Sequence, residues 1–301
     1  MEKELKINSI DVKSEASLKE KLWIAIPVVL LVGLLSTLIY NHYADFSVDA
    51  FIAGFNQEFL VFFAIGVFAQ LVDGTLGMGY GATSTSFLLA YGVPPVVSST
   101  AVHVSEMFTT GASALSHHRF GNINKKLVKH LLIPGVLGSI TGAYLLADVI
   151  NGDIIKPFIA VYMIVLAVII IIKKALKKSI VKKKTKKLGY LAVFGGFMDS
   201  VGGGGWGPIV TSTLLGRGRN PRYTIGSVNA AEFAISFASG ITFMLFGGIH
   251  GWQVIIGLIL GGVISAPLAA YLVNKIKRKP MMVAVGVLII ILSLKTLSKL
   301  F

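Results

Sequence analysis

Apolar residues along this chain fall into long continuous runs separated by short polar or basic stretches. The runs are Leu22–Tyr40, Phe59–Tyr91, Val96–Ser116, Leu127–Ala147, Phe158–Ile172, Leu188–Leu215, Tyr223–Phe246, Trp252–Val273 and Met281–Leu297. Several approach or exceed the roughly 17–25 residues that cross a bilayer as a helix. Continuous rather than alternating apolar sequence excludes a β-barrel. The pattern therefore predicts an all-α, polytopic membrane protein.

Phe59–Tyr91 is too long for one ordinary crossing, and it holds a glycine-dense interruption, Asp73-Gly74-Thr75-Leu76-Gly77-Met78-Gly79-Tyr80-Gly81-Ala82. Adding 126 to each number gives Asp199-Ser200-Val201-Gly202-Gly203-Gly204-Gly205-Trp206-Gly207-Pro208. The acid falls on an acid, and Gly77, Gly79 and Gly81 fall on glycines. The same offset pairs Pro95 with Pro221, Glu106 with Glu232, Gly121 with Gly247 and Ile123 with Ile249. Ordered matches of Asp, Gly, Pro and Glu indicate a duplication, and internal repeats are a signature of transporter folds. Residues 59–172 form the first repeat and 188–298 the second. Residues 1–21 form an N-terminal tail and 22–40 an extra first helix. A linker over 173–187 carries nine lysines.

Charge then sets the orientation. Of the 28 basic residues, 25 fall in the tail, the linker, or the three clusters Arg119–Lys129, Arg217–Arg222 and Lys275–Lys279. One topology places all of them inside, as positive-inside bias requires. In it each glycine-rich block dips in and returns on the side from which it came. Each repeat then holds three spans plus one there-and-back element, so the two repeats are inverted relative to each other. The N-terminus lies inside a cytoplasmic membrane. The net charge of +14 is thereby explained without nucleic acid. Leu22–Tyr40 is too long for a signal-peptide core and lacks a cleavage site. There is no cysteine, so disulfides and thiolate metal sites are excluded. No metal or cofactor is expected.

Ten of the 14 acids fall in the tail or on the outer side. The other four, Asp73, Glu106, Asp199 and Glu232, form two repeat-related pairs within apolar sequence. Ionisable groups persist at such depth where they face a cavity or a partner. Two readings stay open: a proton or ion relay, or carboxylates that hold the backbone of the broken helices. The glycines permit non-helical backbone and close approach of a ligand. Hydroxyls follow each motif, Thr83–Ser86 and Thr211–Thr213, and a half-helix beginning there would direct N–H groups at an anion. The candidate binding set is Gly77, Gly79, Gly81, Thr83, Ser84, Gly203, Gly205, Trp206, Gly207 and Thr211. His103 and Asn229 join it, each three residues before a paired Glu and so on the same helix face. Trp206, aligned with Tyr80, either walls the site or packs. Tight packing by small residues is the structural alternative for the glycines. No HExxH-type metal motif and no nucleophile–base motif occurs.

Two broken segments, LVDGTLGMGYGA and FMDSVGGGGWGP, each precede a proline turn and a helix bearing the paired Glu. This arrangement resembles the sulfite exporter TauE/SafE family of membrane transporters over about residues 59–298. The resemblance implies transport of small anionic sulfur compounds, such as sulfite or sulfonates, with no catalytic residues. The expected function is a secondary transporter with an inverted repeat, binding its anion between the two motifs and coupled to protons. A re-entrant-loop ion channel, a carrier of a non-sulfur anion and a membrane-embedded enzyme are the alternatives. A homodimer is compatible with the sequence.

Overall fold

The structure is a computed structural model that describes residues 52–76, 78–175, 187–248, 250–272 and 277–299. The N-terminal tail, the helix expected over 22–40 and the centre of the lysine-rich linker lie outside the described residues. Residues 55–301 form one unit and residues 1–54 another.

Every regular element among the described residues is helical. They are α1 (Gln57–Leu76), α2 (Tyr80–Tyr91), α3 (Pro95–Arg119), α4 (Lys125–Tyr144), α5 (Gly152–Ala175), α6 (Leu188–Gly202), α7 (Ser212–Gly216), α8 (Pro221–Gly247), α9 (Trp252–Leu272) and α10 (Arg278–Ser298). A π-helical turn, Leu145–Val149, extends α4, and another, Gly207–Thr211, leads into α7. Among the described residues five helical segments are long and apolar enough to cross a membrane: Gln57–Leu76, Lys125–Val149, Gly152–Ile172, Pro221–Gly247 and Lys279–Ser298. Helix α3 is absent from that set although it has 25 residues. Its middle is polar, and that polarity is turned inward: Ser98, Ser99, Thr100, His103, Ser105 and Glu106 are all buried. Several of its hydroxyls bond a carbonyl one turn back, as Thr100 does to Val96 (2.7 Å) and Ser105 to Ala101 (2.6 Å). Such bonds satisfy a buried hydroxyl without a second helix.

Each glycine-rich block is a hairpin. Helix α2 runs back along α1, with Phe62 against Tyr91 (5.6 Å between ring centroids) and Phe68 against Phe87 (5.7 Å). After α6 the chain likewise returns, so that Gly195 faces Val210 and the Trp206 ring. The two returning arms differ. The first is one helix starting at Tyr80, a turn before the hydroxyls at which the sequence placed its start. The second opens as a π-turn with Pro208 at its beginning. A proline there has no N–H to leave unsatisfied.

Backbone contact, rather than large side chains, packs a neighbouring helix against the first arm of each hairpin. Helix α9 runs parallel to α1, and α4 runs parallel to α6. A methyl group added at Gly66 would lie 2.7 Å from the Leu258 carbonyl oxygen, and one at Gly142 would lie 2.6 Å from that of Phe197. Helices therefore approach as closely as their backbones allow, the usual means of association in lipid. The repeat mates α3 and α8 run antiparallel, as the contacts Glu106–Ser236 and Ser113–Asn229 require. At one end Arg222 bonds the side chain of Asn122 and donates to the Phe120 carbonyl (2.8 Å), joining two of the basic clusters. At another, Lys299 donates to the Ala90 carbonyl at the end of α2 (3.0 Å).

Gly66→Ala should destabilise the protein by about 1–3 kcal/mol, because the methyl meets backbone that cannot turn aside. Gly189→Ala, where the nearest atom is the Pro134 ring at 3.7 Å, should be neutral. Thermal melts of both variants in detergent test the pair.

Candidate functional site

The two interrupted segments meet. Beyond Gly202, α6 gives way to Gly203 (φ 71°) and Gly204 (φ 151°), conformations that disfavour any side chain. A methyl at Gly81 would lie 2.7 Å from the Gly204 Cα and 3.0 Å from both the Gly203 carbonyl oxygen and Glu106 Oε1. Gly207 in turn faces Met78 and the backbone at Gly79. The Thr85 hydroxyl closes the crossing by donating to the Gly203 carbonyl. Both breaks are thus one place. Gly77 lies outside the described residues.

Each break is bridged by its own acid. Asp199 Oδ1 accepts the Trp206 N–H at 2.8 Å, and Asp73 Oδ1 accepts the Tyr80 N–H at 3.4 Å. Both bonds reach seven residues ahead, to the first N–H of the returning arm. A carboxylate at a helix start offsets the partial positive charge of unsatisfied N–H groups. The aromatic residue it holds then anchors elsewhere. Tyr80 Oη donates to Leu258 on α9 (3.2 Å), and Trp206 Nε1 donates to Val228 on α8 (3.3 Å). Trp206 is fully buried among Gly135, Gly195 and Ile235. Of the two roles left open for it, packing is the one its contacts fit.

The elements around the crossing carry a set of buried polar atoms with no hydrogen-bond partner. They are the hydroxyls of Thr83, Ser84, Ser99, Tyr162, Ser200 and Thr211, with His103 Nε2 and Asp199 Oδ2. Leaving such groups unpaired in an apolar interior costs about 1–3 kcal/mol each. A concentration of them calls for polar partners. Three hydroxyls of the predicted binding set, those of Thr83, Ser84 and Thr211, are in it, and so is Nε2 of the predicted His103. Ser99, Tyr162 and Ser200 are not foreseen by the sequence. Tyr162 projects from α5 so that its hydroxyl takes the space a side chain at Gly205 would need.

The remaining predicted residues divide. His103 sits at the centre: its Nδ1 lies 2.8 Å from the Ser99 carbonyl and its Nε2 lies 3.3 Å from Asp199 Oδ2. Donor atoms of His103, Glu106 and Asp199 all lie within 4.8 Å of one another, the one such trio among the described residues. Glu106 Oε2 also accepts from Ser236 (3.2 Å). Asn229, the repeat mate of His103, instead donates to Ser113 (2.8 Å). Glu232 is only partly buried, whereas Glu106 is 3% exposed.

The sequence profile of the Sulfite exporter TauE/SafE family matches residues 62–296, a span that includes both breaks and every residue above. The chain belongs to the TauE/SafE family. It is 42% identical over 250 residues to "Probable membrane transporter protein YtnM" of Bacillus subtilis (strain 168), an alignment that covers 80% of this chain and 83% of that protein. It is 25% identical over 210 residues to "Probable membrane transporter protein ORF9" of Sinorhizobium sp., covering 67% of this chain and 77% of the relative. No solved structure matches. As a TauE/SafE protein the chain is a membrane transporter with several membrane-crossing helices, and its substrate is a small molecule.

Asp199→Asn keeps an oxygen that can accept from Trp206, whereas Asp199→Ala leaves that buried N–H unpaired. The alanine variant should therefore be less stable than the asparagine variant by about 1–3 kcal/mol. Equal melting temperatures for the two in detergent would rule out the bridging role.

Proposed function

We propose that this TauE/SafE protein is a secondary transporter of a small anionic sulfur compound, a sulfite- or sulfonate-type oxyanion. The anion binds where the two glycine breaks cross. The observation that carries this reading is the cluster of unpartnered buried hydroxyls, from Thr83, Ser84, Ser99, Tyr162 and Thr211, around backbone exposed by glycine. A tetrahedral or pyramidal oxyanion presents several acceptor oxygens at once, and hydroxyls and helix-start N–H groups are the donors that suit it. Gly79, Gly81, Gly203, Gly205 and Gly207 bring that backbone within reach. Asp73 and Asp199 each direct Oδ1 at the N–H of their own returning arm, which keeps that oxygen away from the anion. Asn229 and Trp206, engaged elsewhere, support the helices around the site. The family's printed description, sulfite exporter, supports the sulfur part of the reading.

The repeats are inverted in this proposal. Three geometric facts support it: the antiparallel packing of α3 on α8, the exchange-related pairs α1–α9 and α6–α4, and the hairpin form of both blocks. Alternating access then follows from rocking one repeat against the other about the fixed crossing. The basic loops lie on the cytoplasmic side of the cell membrane, with the N-terminus inside and the coupling ion a proton.

Because the chain has no native cysteine, single-cysteine labelling tests the topology without background. Phe120→Cys and Gly218→Cys should react only from the inner face, and Asn151→Cys and His250→Cys only from the outer. Labelling of any pair from the opposite face would overturn the inverted arrangement.

Transport itself is tested in proteoliposomes loaded with unlabelled sulfite or sulfoacetate. Labelled anion should enter by saturable counterflow, which a channel does not give. Thr83→Val and Thr211→Val should each weaken apparent affinity about fivefold to tenfold, on the order of 1–1.4 kcal/mol for one lost hydrogen bond. Absence of flux and binding for every sulfur oxyanion tried would sink the substrate assignment.

A further inference from the structure

His103 and Asp199 belong to opposite repeats, one on α3 and the other at the end of α6. A carbonyl oxygen only accepts, so the 2.8 Å contact to Ser99 fixes the proton on His103 Nδ1. In a neutral imidazole Nε2 is then a bare lone pair. It faces Asp199 Oδ2 at 3.3 Å, and both atoms are buried without a hydrogen-bond partner. Two lone pairs cannot remain opposed at that distance in an apolar interior. A single proton between them removes the conflict, whether it resides on the imidazole or on the carboxyl.

We propose that this shared proton, between His103 and Asp199, is the transport-coupled proton, and that each chain has one such site. The inference rests on the transporter reading above and specifies how it is driven. The count follows from asymmetry. The position equivalent to His103 is Asn229, which has no titrating group and bonds Ser113 instead (2.8 Å). The equivalent of Asp199 is Asp73, whose Oδ1 is directed at Tyr80. An inverted repeat thus offers two equivalent places and equips one.

The site also has a mechanical output. Asp199 uses Oδ1 to hold Trp206 at the start of the returning arm (2.8 Å) and Oδ2 to face His103. With the proton present the pair is attractive and α3 is tied to the second break. When the proton leaves, the carboxylate faces a lone pair and the tie becomes repulsive. One proton in and one proton out balance the cycle, and no other bond is made or broken. Titratable groups facing the pair are Glu106 on α3, bonded to Ser236, and Tyr162 on α5, within electrostatic range of Asp199. Glu232 on α8 is within electrostatic range of both Asp199 and Glu106, and Asp73 on α1 and Tyr80 on α2 are within range of Glu106. The other face of the imidazole rests on the Phe243 ring, 5.6 Å between centroids.

The test uses full-length protein in vesicles with the membrane potential clamped, and sulfoacetate as probe. One coupled proton shifts the steady-state inside-to-outside ratio about tenfold per unit of imposed pH gradient, since one pH unit is about 1.36 kcal/mol. The expected result is that slope for the wild type and its loss in His103→Asn, whose sulfoacetate binding and melting temperature are measured alongside. A wild-type slope in His103→Asn overturns the assignment of the proton, and a hundredfold slope in the wild type overturns the count of one. Should the wild type move no sulfur oxyanion, the substrate reading fails and a second measurement judges this site. In 15N-histidine-labelled protein, with His103 assigned by its loss in His103→Gln, Nε2 should share a proton near neutral pH and release it on alkalinisation. An Nε2 that stays bare over about pH 5 to 9, the range in which imidazoles titrate, overturns the proposal whatever the substrate.

Discussion

An interrupted helix buried in an apolar medium leaves backbone N–H groups that water cannot reach, and each unsatisfied group there costs several kcal/mol. The rest of this structure follows from how that constraint is met. A carboxylate seven residues upstream accepts the first N–H of the returning arm, at Asp199–Trp206 and at Asp73–Tyr80. The acid fixes the length of the loop and the direction in which the chain turns back. The residue it holds is a large aromatic whose polar end is tied to a different helix, α9 for Tyr80 and α8 for Trp206. One carboxylate therefore sets a turn, and through the turn it sets a contact between helices distant in sequence.

Glycine supplies the other half of the arrangement. Where Gly81 meets Gly203 and Gly204 the backbones touch with no room for a methyl group. Two breaks can occupy one location only if neither carries side chains toward the other. That contact places the hydroxyls of two arms, Thr83 and Ser84 on one and Thr211 on the other, around a shared centre. In the proposed function the same small residues that allow tight helix association also assemble the site.

The regularities visible in the chain are those in which a residue's neighbours in sequence are also its partners in space. Asp73 and Asp199 bond residues seven positions on, so the reading in which they hold the broken helices was within reach of the motif itself. Pro95 and Pro221 begin α3 and α8, as turn chemistry leads one to expect. Tyr162 shows what was hidden. It sits in the apolar run of α5 with no polar neighbour, and only the packing of distant helices brings its hydroxyl to Gly205. Ser99 was hidden similarly, as one hydroxyl among several on a helix where most bond their own preceding turn. His103 and Asn229 looked equivalent because the repeat aligns them. The fold separates them, since one faces the opposite break and the other a serine.

That separation bears on how a site with no fixed cation can serve an anion. Lysine and arginine are confined to the loops and ends of the apolar runs, so in the proposed function the charge of a bound anion would be met by dipoles, hydroxyls and one proton. A permanent guanidinium would bind an oxyanion tightly in a low-dielectric interior and release it slowly. A proton held between His103 and Asp199 can be withdrawn. Its loss would leave an uncompensated carboxylate beside the crossing and weaken anion binding there by repulsion. Affinity and the tie between the two repeats would then fall together, which is the coupling a carrier needs to bind on one side and release on the other.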